Sequence, residues 1–458
     1  MRRIAESLKN IHWKLFFALL VMGLCPTIYT TVRVYFLGQF PGEWAYSIAG
    51  QLSWVNLLYE IINEAIILPL FFFVGKVVND KNEFTNRLKT GLLASLGIYL
   101  LLASVIMAFA EPLLKLMAAS SDIIESSATY IRIESVANIF GILFRFACVA
   151  LVAIGKEKLV YILTGTKLGL CLILDTFLVS SLPVSAKLGV NGIGISNIIV
   201  NACLFIVVLV LLARSGYSIF NKAKMRFSWM KEFAKIGGIS GAESFVRNIA
   251  YMLMVSRMVN MVGEQGTYWV ANNFIWGWLL LPILQLDELI KHETSTEESA
   301  VRNNSVGYFT VTGAVCLLWV AFIPLYKPFM QYVLNFDDVE KLFDLVMVLL
   351  GFYVMFAFQN VFDATFYGRG KTNYMLFESV ITNTVFYGAY FVLYLTGVWV
   401  PTLTGIALMF GLGNAFDSIV SGIAYGYYLK KNKIRIWKQC DTSNETVTEQ
   451  TDKIIYKE

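Results

Sequence analysis

The side chains able to do chemistry in this chain sit inside stretches that are otherwise apolar. In residues 48–74, Asn56, Glu60, Asn63 and Glu64 follow one another at i, i+4, i+7 and i+8, which places all four on one face of a helix. That stretch holds no Lys or Arg. Two glutamates without a local counter-charge are suited to carry a proton or a cation, or to receive a basic partner from another helix. Residues 128–154 hold Glu134, Asn138 and Arg145; residues 233–262 hold Glu243, Arg247 and Asn248; residues 342–367 hold Gln359, Asn360 and Asp363. Asp175 is singled out in 159–182, and Glu378 and Asp417 in the last two apolar runs. A charge at the centre of a bilayer costs about 2.5–3.5 kcal/mol on insertion scales, so each of these must face an interior and find a partner. Two uses fit. One is an ion or proton site beside a substrate cavity. The other is internal pairing that locks helices, as Glu134 with Arg145 or Glu243 with Arg247. Arg33 and Arg247 suit an anionic or zwitterionic substrate group, and equally suit salt bridges to Glu60 or Glu64.

Trp269, Trp276 and Trp278 can stack on an aromatic ligand or anchor at the membrane interface. Pro26, Pro69 and Pro282 lie within helical runs, where each frees a carbonyl and permits a bend. The two histidines, His12 and His292, are placed at membrane edges and make no paired metal site. Five cysteines lie in apolar runs and Cys440 in a polar tail, which is neither a disulfide framework nor a metal spacing. No phosphate-binding glycine loop and no nucleophile elbow is present, so an enzyme is not expected. No cofactor is implied beyond a coupling ion, Na+ or H+.

The elements that must position these residues are membrane-length. The chain is 57% hydrophobic and 15% charged, with mean hydropathy +0.63; soluble domains carry about 25% charged residues. That composition excludes an ordinary soluble enzyme, a disordered protein and a nucleic-acid binder. A spanning helix takes roughly 20 apolar residues. Twelve such runs cover 15–38, 48–74, 91–110, 128–154, 159–182, 190–212, 233–262, 269–290, 305–325, 342–367, 374–400 and 403–429. None alternates with the period of two that a membrane barrel needs. The first run is too long for a cleaved signal and has no small-residue cleavage site. With the N-terminus inside, the inside segments carry twenty-four Lys and Arg and the outside loops only Lys115, Lys187, Lys327 and Lys341. The positive-inside rule then puts both termini in the cytoplasm.

The basic connection 214–231 divides the chain into six runs and six. Across it, Val32-Arg33 matches Val246-Arg247, Pro112 and Asp122 match Pro328 and Asp338, Gly155-Lys156 matches Gly370-Lys371, and Gly192-Ile193 matches Gly405-Ile406. One near-constant register over both halves is the mark of an internal repeat. The expected fold is an all-α polytopic membrane protein with twelve transmembrane helices, arranged as two six-helix lobes about a pseudo-two-fold axis along the membrane normal. Its parts are an N-lobe 1–213, a cytoplasmic linker 214–231, a C-lobe 232–438 and a polar, disordered tail 439–458. Repeated bundles of this kind bind substrate between the lobes near the midplane and rock to open the site to one side at a time.

The chain resembles the multidrug and toxic compound extrusion family. The likeness rests on Gly155-Lys156-Glu157-Lys158 after the fourth run, on Leu174-Asp175, and on Leu188-Gly189-Val190-Asn191-Gly192-Ile193, with echoes at Arg369-Gly370-Lys371 and Gly405-Ile406-Ala407. The resemblance implies a monomeric inner-membrane antiporter that expels organic small molecules in exchange for Na+ or H+, with the lipid bilayer and no nucleic acid as its surroundings. It points to Glu60, Glu64 and Asp175 in the first lobe and to Glu243, Gln359, Asn360 and Asp363 in the second, with Arg33 and Arg247 at the cleft and a possible Na+ at Glu243 and Asp363. The family's aspartate late in helix 1 is replaced by Val32 beside Arg33; its glutamate in helix 7 falls at Arg247, and its aspartate in helix 10 at Gln359. Arginines in the cleft weaken a preference for cationic drugs and keep a lipid-linked saccharide flippase of the same superfamily as an alternative. A major-facilitator transporter is a second, although 75–89 has only part of that family's loop pattern.

Overall fold

The computed structural model describes residues 2–40, 44–219, 225–297 and 299–437, without the side chains of Leu68, Phe71, Phe72 and Glu243. The polar tail with Cys440 and part of the basic connection lie outside these residues. All regular structure in the described residues is helical. A short helix α1 (Arg2–Asn10) precedes the first span, α2 (Trp13–Leu37). Then come α3 (Trp44–Gly75), α4 (Lys81–Ala108), the short α5 (Ala110–Leu116), α6 (Ile124–Ala153), α7 (Glu157–Leu178) and α8 (Val190–Arg214). The second half begins with α9 (Met230–Ala250), which passes through a π-helical turn at Tyr251–Ser256 into α10 (Arg257–Met261). The next span is α11 (Gln265–Phe274), a π turn at Ile275–Leu279 and α12 (Leu281–Thr296), bent by 53° where Pro282 opens the new helix. It is followed by α13 (Ala300–Ala321), the short α14 (Ile323–Tyr332) and α15 (Val339–Gly368). Helix α16 (Thr372–Ile381), a π turn at Thr382–Tyr387 and α17 (Gly388–Leu395) make the eleventh span, and α18 (Leu403–Lys431) the twelfth.

Each apolar run of the sequence falls mainly on one helix or on helices joined by a π turn. Nine helices among the described residues are long and apolar enough to cross a membrane, and the bent pair α11–α12 is a tenth. Polar caps close several ends: the Asp80 carboxylate accepts from the amides of Asn82 and Glu83 at 3.0 and 3.1 Å, and Asp338 and Thr402 cap α15 and α18.

The repeat is visible in the turns. Gly155 ends the α6 span and Gly370 the α15 span, with φ of +74° and +63°. That left-handed conformation favours glycine. In both turns the following lysine amide reaches back to the helix, Lys156 to Leu151 O at 2.9 Å and Lys371 to Phe366 O at 2.7 Å. Pro112 and Pro328 both lie in the short helices α5 and α14. Helix α6 packs on α8 as α15 packs on α18.

The halves are not cleanly separate at the start of the chain. Ile11 and Phe16 pack with Leu286, Leu289, Tyr308 and Val361, so α1 and the first turns of α2 belong to the core of the second half. Arg3 Nε donates to Ile436 O at 3.1 Å, which brings both ends of the described chain to one end of the bundle. The opposite end is sealed between the halves. The Tyr46 hydroxyl meets Leu334 O and Asn335 O at 3.1 and 3.0 Å; Gln51 and Asn260 exchange hydrogen bonds at 2.7 and 3.0 Å; Gln265 Nε2 donates to Gly50 O at 2.9 Å. Toward the terminal end the halves meet where α3 crosses α9. Gly237 lies so close there that a Cβ would strike the Ala65 carbonyl.

Candidate functional site: a cavity between the halves and a polar chamber in each

Between the halves lies a cavity of about 720 Å³. Its second-half wall is aromatic, from Tyr251, Trp269, Trp276, Phe356, Tyr387 and Phe410, interspersed with the amides Asn248, Asn272, Asn273, Asn383 and Asn414. The first half contributes Pro26, Thr27, Thr30 and Thr31 of α2 and Ser53 and Leu57 of α3. All three π turns border this space, through Tyr251, through Trp276 and Gly277, and through Thr382, Asn383 and Tyr387. Such turns occur often at functional sites, because one extra residue re-aims the side chains of a helix. Hydrogen bonds fix the rings: Trp276 Nε1 donates to the Tyr353 hydroxyl at 3.2 Å, and Asn272 Nδ2 to the Tyr251 hydroxyl at 3.3 Å. Trp269 and Trp276 therefore face a cavity and not an interface, whereas Trp278 ties α2 through the Thr31 hydroxyl at 2.9 Å.

Behind the second-half wall is a carboxylate chamber. Asp417 of α18 lines the cavity and also accepts from Gln359 Nε2 at 2.7 Å and the Thr382 hydroxyl at 2.6 Å. Gln359 Nε2 lies 3.2 Å from Asp363 Oδ2, and the Ser421 hydroxyl donates to Asp363 Oδ1 at 2.7 Å. Glu378 is buried nearby, 3% exposed, with one carboxylate oxygen lacking a hydrogen-bond partner. None of these three carboxylates forms a salt bridge with a described residue. Among the described residues no group of three His, Cys, Asp or Glu could hold a metal ion. Asn360 is not part of the chamber; its amide donates to Phe356 O of its own helix at 2.7 Å. The side chain of Glu243, and with it a joint site with Asp363, lies outside the described residues.

The first half holds a second chamber, of about 410 Å³, joined to the central cavity along Pro26 and Thr30. Arg33 Nε donates to the fully buried Asp175 at 2.6 Å, and Arg33 Nη2 to Asn197 Oδ1 at 2.9 Å. Asn197 Nδ2 in turn donates to Glu134 at 2.7 Å. One network thus links α2, α7, α8 and α6. An adjoining hollow of about 350 Å³ is lined by Asn56, Glu60, Asn63 and Arg145, so three of the four residues of the α3 stripe share one face. The fourth, Glu64, receives two hydrogen bonds from Arg247 Nη2 across the halves, at 2.7 and 2.9 Å.

These contacts correct several expected pairings. Arg33 meets Asp175 and not Glu60 or Glu64. It faces the first-half chamber, so it does not stand beside Arg247 at the cleft. Glu60 faces an internal hollow, where its side chain is exposed. Glu134 does not reach Arg145, because eleven residues along one helix separate them by about 16 Å. His12 and His292 border one small hollow beside Glu293, which accepts from Asn304 at 2.7 Å and from the Tyr308 hydroxyl. Lys167 of α7, passed over in the sequence, lines the first-half chamber, with its ammonium 5.6 Å from the Phe144 ring centre. Its signal was present: it is the one lysine in the middle of the fifth apolar run.

The family model for MatE matches residues 19–178. The matched stretch begins within α2 and ends with α7, so it contains Arg33, Glu60, Glu64, Arg145, Lys167 and Asp175. No curated protein matches the sequence. Solved structures match along nearly the whole length. An inward-facing multidrug resistance MATE family transporter of the MOP superfamily aligns with TM-score 0.76 and 18% identity, over 89% of this chain and 95% of that one. The outward-facing conformation of such a transporter aligns at 0.66 and 16%, over 94% and 99%. A MOP superfamily transporter from Pyrococcus furiosus, whose reversed binding-pocket polarity is said to suggest a different function, aligns at 0.67 and 16%, over 94% and 99%. The fold is that of the MATE transporters, with twelve helices in two repeats, which sets aside the major-facilitator alternative.

Proposed function

We propose that the protein is an ion-coupled antiporter that exports organic small molecules by opening the seam between its halves to one side at a time. The observation that carries this reading is the central cavity: it lies at the boundary of two repeats, is walled by aromatic rings and amides, and is sealed at one end only by contacts between the halves. Aromatic walls take up flat apolar cargo, and the amides adapt to its polar atoms. The positive-inside pattern supports placing the terminal end in the cytoplasm of a cell whose plasma membrane the protein spans. The sealed end then faces out, in keeping with the higher TM-score to the inward-facing transporter.

Coupling runs through Asp417. It lines the cargo cavity and hydrogen-bonds the Gln359–Asp363 pair, so a cation in the chamber and cargo in the cavity act on one side chain. Three carboxylates without a basic partner repel one another, and a proton or a sodium ion relieves that repulsion. Entry of the cation from outside would release Asp417 from cargo, which is exchange.

Proteoliposomes loaded with ethidium test this under an imposed proton or sodium gradient. Gradient-driven efflux is expected, lost in Asp417→Asn and reduced in Asp363→Asn. Efflux at the same rate with no gradient overturns antiport.

A further inference from the structure

Two cations of the first-half chamber have no ion-pair or hydrogen-bond partner among the described residues. Arg33 is satisfied by Asp175 and Asn197, and Glu134 by Asn197. Arg247, on the far wall, is held by Glu64. Arg145 and Lys167 also line the chamber, and neither forms a salt bridge or a hydrogen bond with a described residue. Glu60 borders the adjoining hollow with Arg145 but does not come within ion-pair distance of it. Two cations facing one space inside a membrane, with no carboxylate in ion-pair contact among the described residues, are costly and mark a ligand pathway. A compact oxyanion set between a guanidinium and an ammonium would receive charge-assisted hydrogen bonds from both.

We propose that Arg145 and Lys167 form a subsite for the carboxylate or phosphate group of an organic cargo, whose apolar body extends past Pro26 and Thr30 into the aromatic cavity. This deepens the transport reading and rests on it. The geometry is that of a bipartite site: the second half supplies rings and amides for the body, and the first half supplies cations for the acidic head. Pro26 and Thr30 line both spaces, so a single molecule can occupy the two at once. The acidic head can come from a soluble acid or from a lipid-linked compound, and the chemistry at Arg145 and Lys167 is the same.

Binding to the purified full chain in nanodiscs distinguishes these. Phenyl phosphate serves as a soluble probe and dodecyl phosphate as a lipid-borne one, against benzylammonium and neutral benzamide. At least one phosphate probe is expected to bind, roughly tenfold or more weakly in Arg145→Gln and in Lys167→Gln, with recovery in Arg145→Lys and Lys167→Arg. Its affinity should fall as salt rises, and benzylammonium should not respond to either glutamine variant. Binding of phenyl phosphate alone assigns a soluble acid, and of dodecyl phosphate alone a lipid-borne one. Phosphate binding indifferent to both glutamine variants overturns the subsite and leaves the transport reading intact. If benzylammonium and benzamide bind through Trp276 while neither phosphate binds, the subsite also falls. If no probe binds at all, the cargo cavity falls with it.

Discussion

The Glu64–Arg247 pair joins α3 of the first half to α9 of the second, and its removal has a calculable cost. One guanidinium nitrogen donates to both carboxylate oxygens, at 2.7 and 2.9 Å. At 2.7 Å and an effective dielectric of 20, the gross attraction is about 6 kcal/mol. Desolvation cancels most of that, and hydrogen bonds between charged groups contribute about 1.5–3 kcal/mol net. The two side chains are 34% and 19% exposed, so solvent screens the pair further. About 1–2 kcal/mol remains as the coupling. Glu64→Gln, Arg247→Gln and the double variant form a cycle, read as unfolding free energy by SDS titration in mixed micelles. Arg247 lies four residues from Glu243 as well, and the cycle isolates the Glu64 component. Each single variant should lose stability, and the double variant should lose less than the sum by about 1–2 kcal/mol. A coupling below about 0.3 kcal/mol, the usual scatter of independent sites, would refute the claim that this contact holds the halves together.

Gly237→Val should abolish the folded peak in size-exclusion chromatography, because a side chain there meets the Ala65 backbone. Gly238→Ala, which points into open space, should elute normally. Trp276→Ala should weaken equilibrium binding of ethidium roughly tenfold, through loss of one cavity wall. Tyr46→Phe removes a hydrogen bond that seals the remote end, about 1 kcal/mol. Labelling of Ser53→Cys by an impermeant maleimide from that side should then rise roughly fivefold.

Much of the fold was legible because a bilayer enforces length. Every apolar run is helical, and bounds such as Val190 and Leu403 coincide with helix starts. The repeat was legible where the backbone demands a residue type, as at Gly155 and Gly370, and weak elsewhere because side chains on lipid-facing turns are interchangeable. The site was half legible. Spacing along one helix correctly put Asn56, Glu60 and Asn63 on one face. It could not say which helix lies opposite, so Arg33 was left between a substrate group and the glutamates of α3 when its partner is Asp175 of α7. The exchange of α1 and the start of α2 into the second half's core leaves no local signature, since Ile11 and Phe16 are apolar in either setting. Lys167 was overlooked because one lysine barely changes the hydropathy of its run.

A π turn holds one residue more than an α turn, so it stores slack. Were Tyr251–Ser256, Ile275–Leu279 or Thr382–Tyr387 to relax to α geometry, everything beyond would swivel by about 100° per residue released. Rings that now line the cavity would rotate away from it with the helix unbroken. Among the described residues all three such turns belong to the second half. The two repeats thus share a shape but not this reserve of backbone: among the described residues, only the second half holds turns whose tightening would re-aim the side chains of the cavity wall.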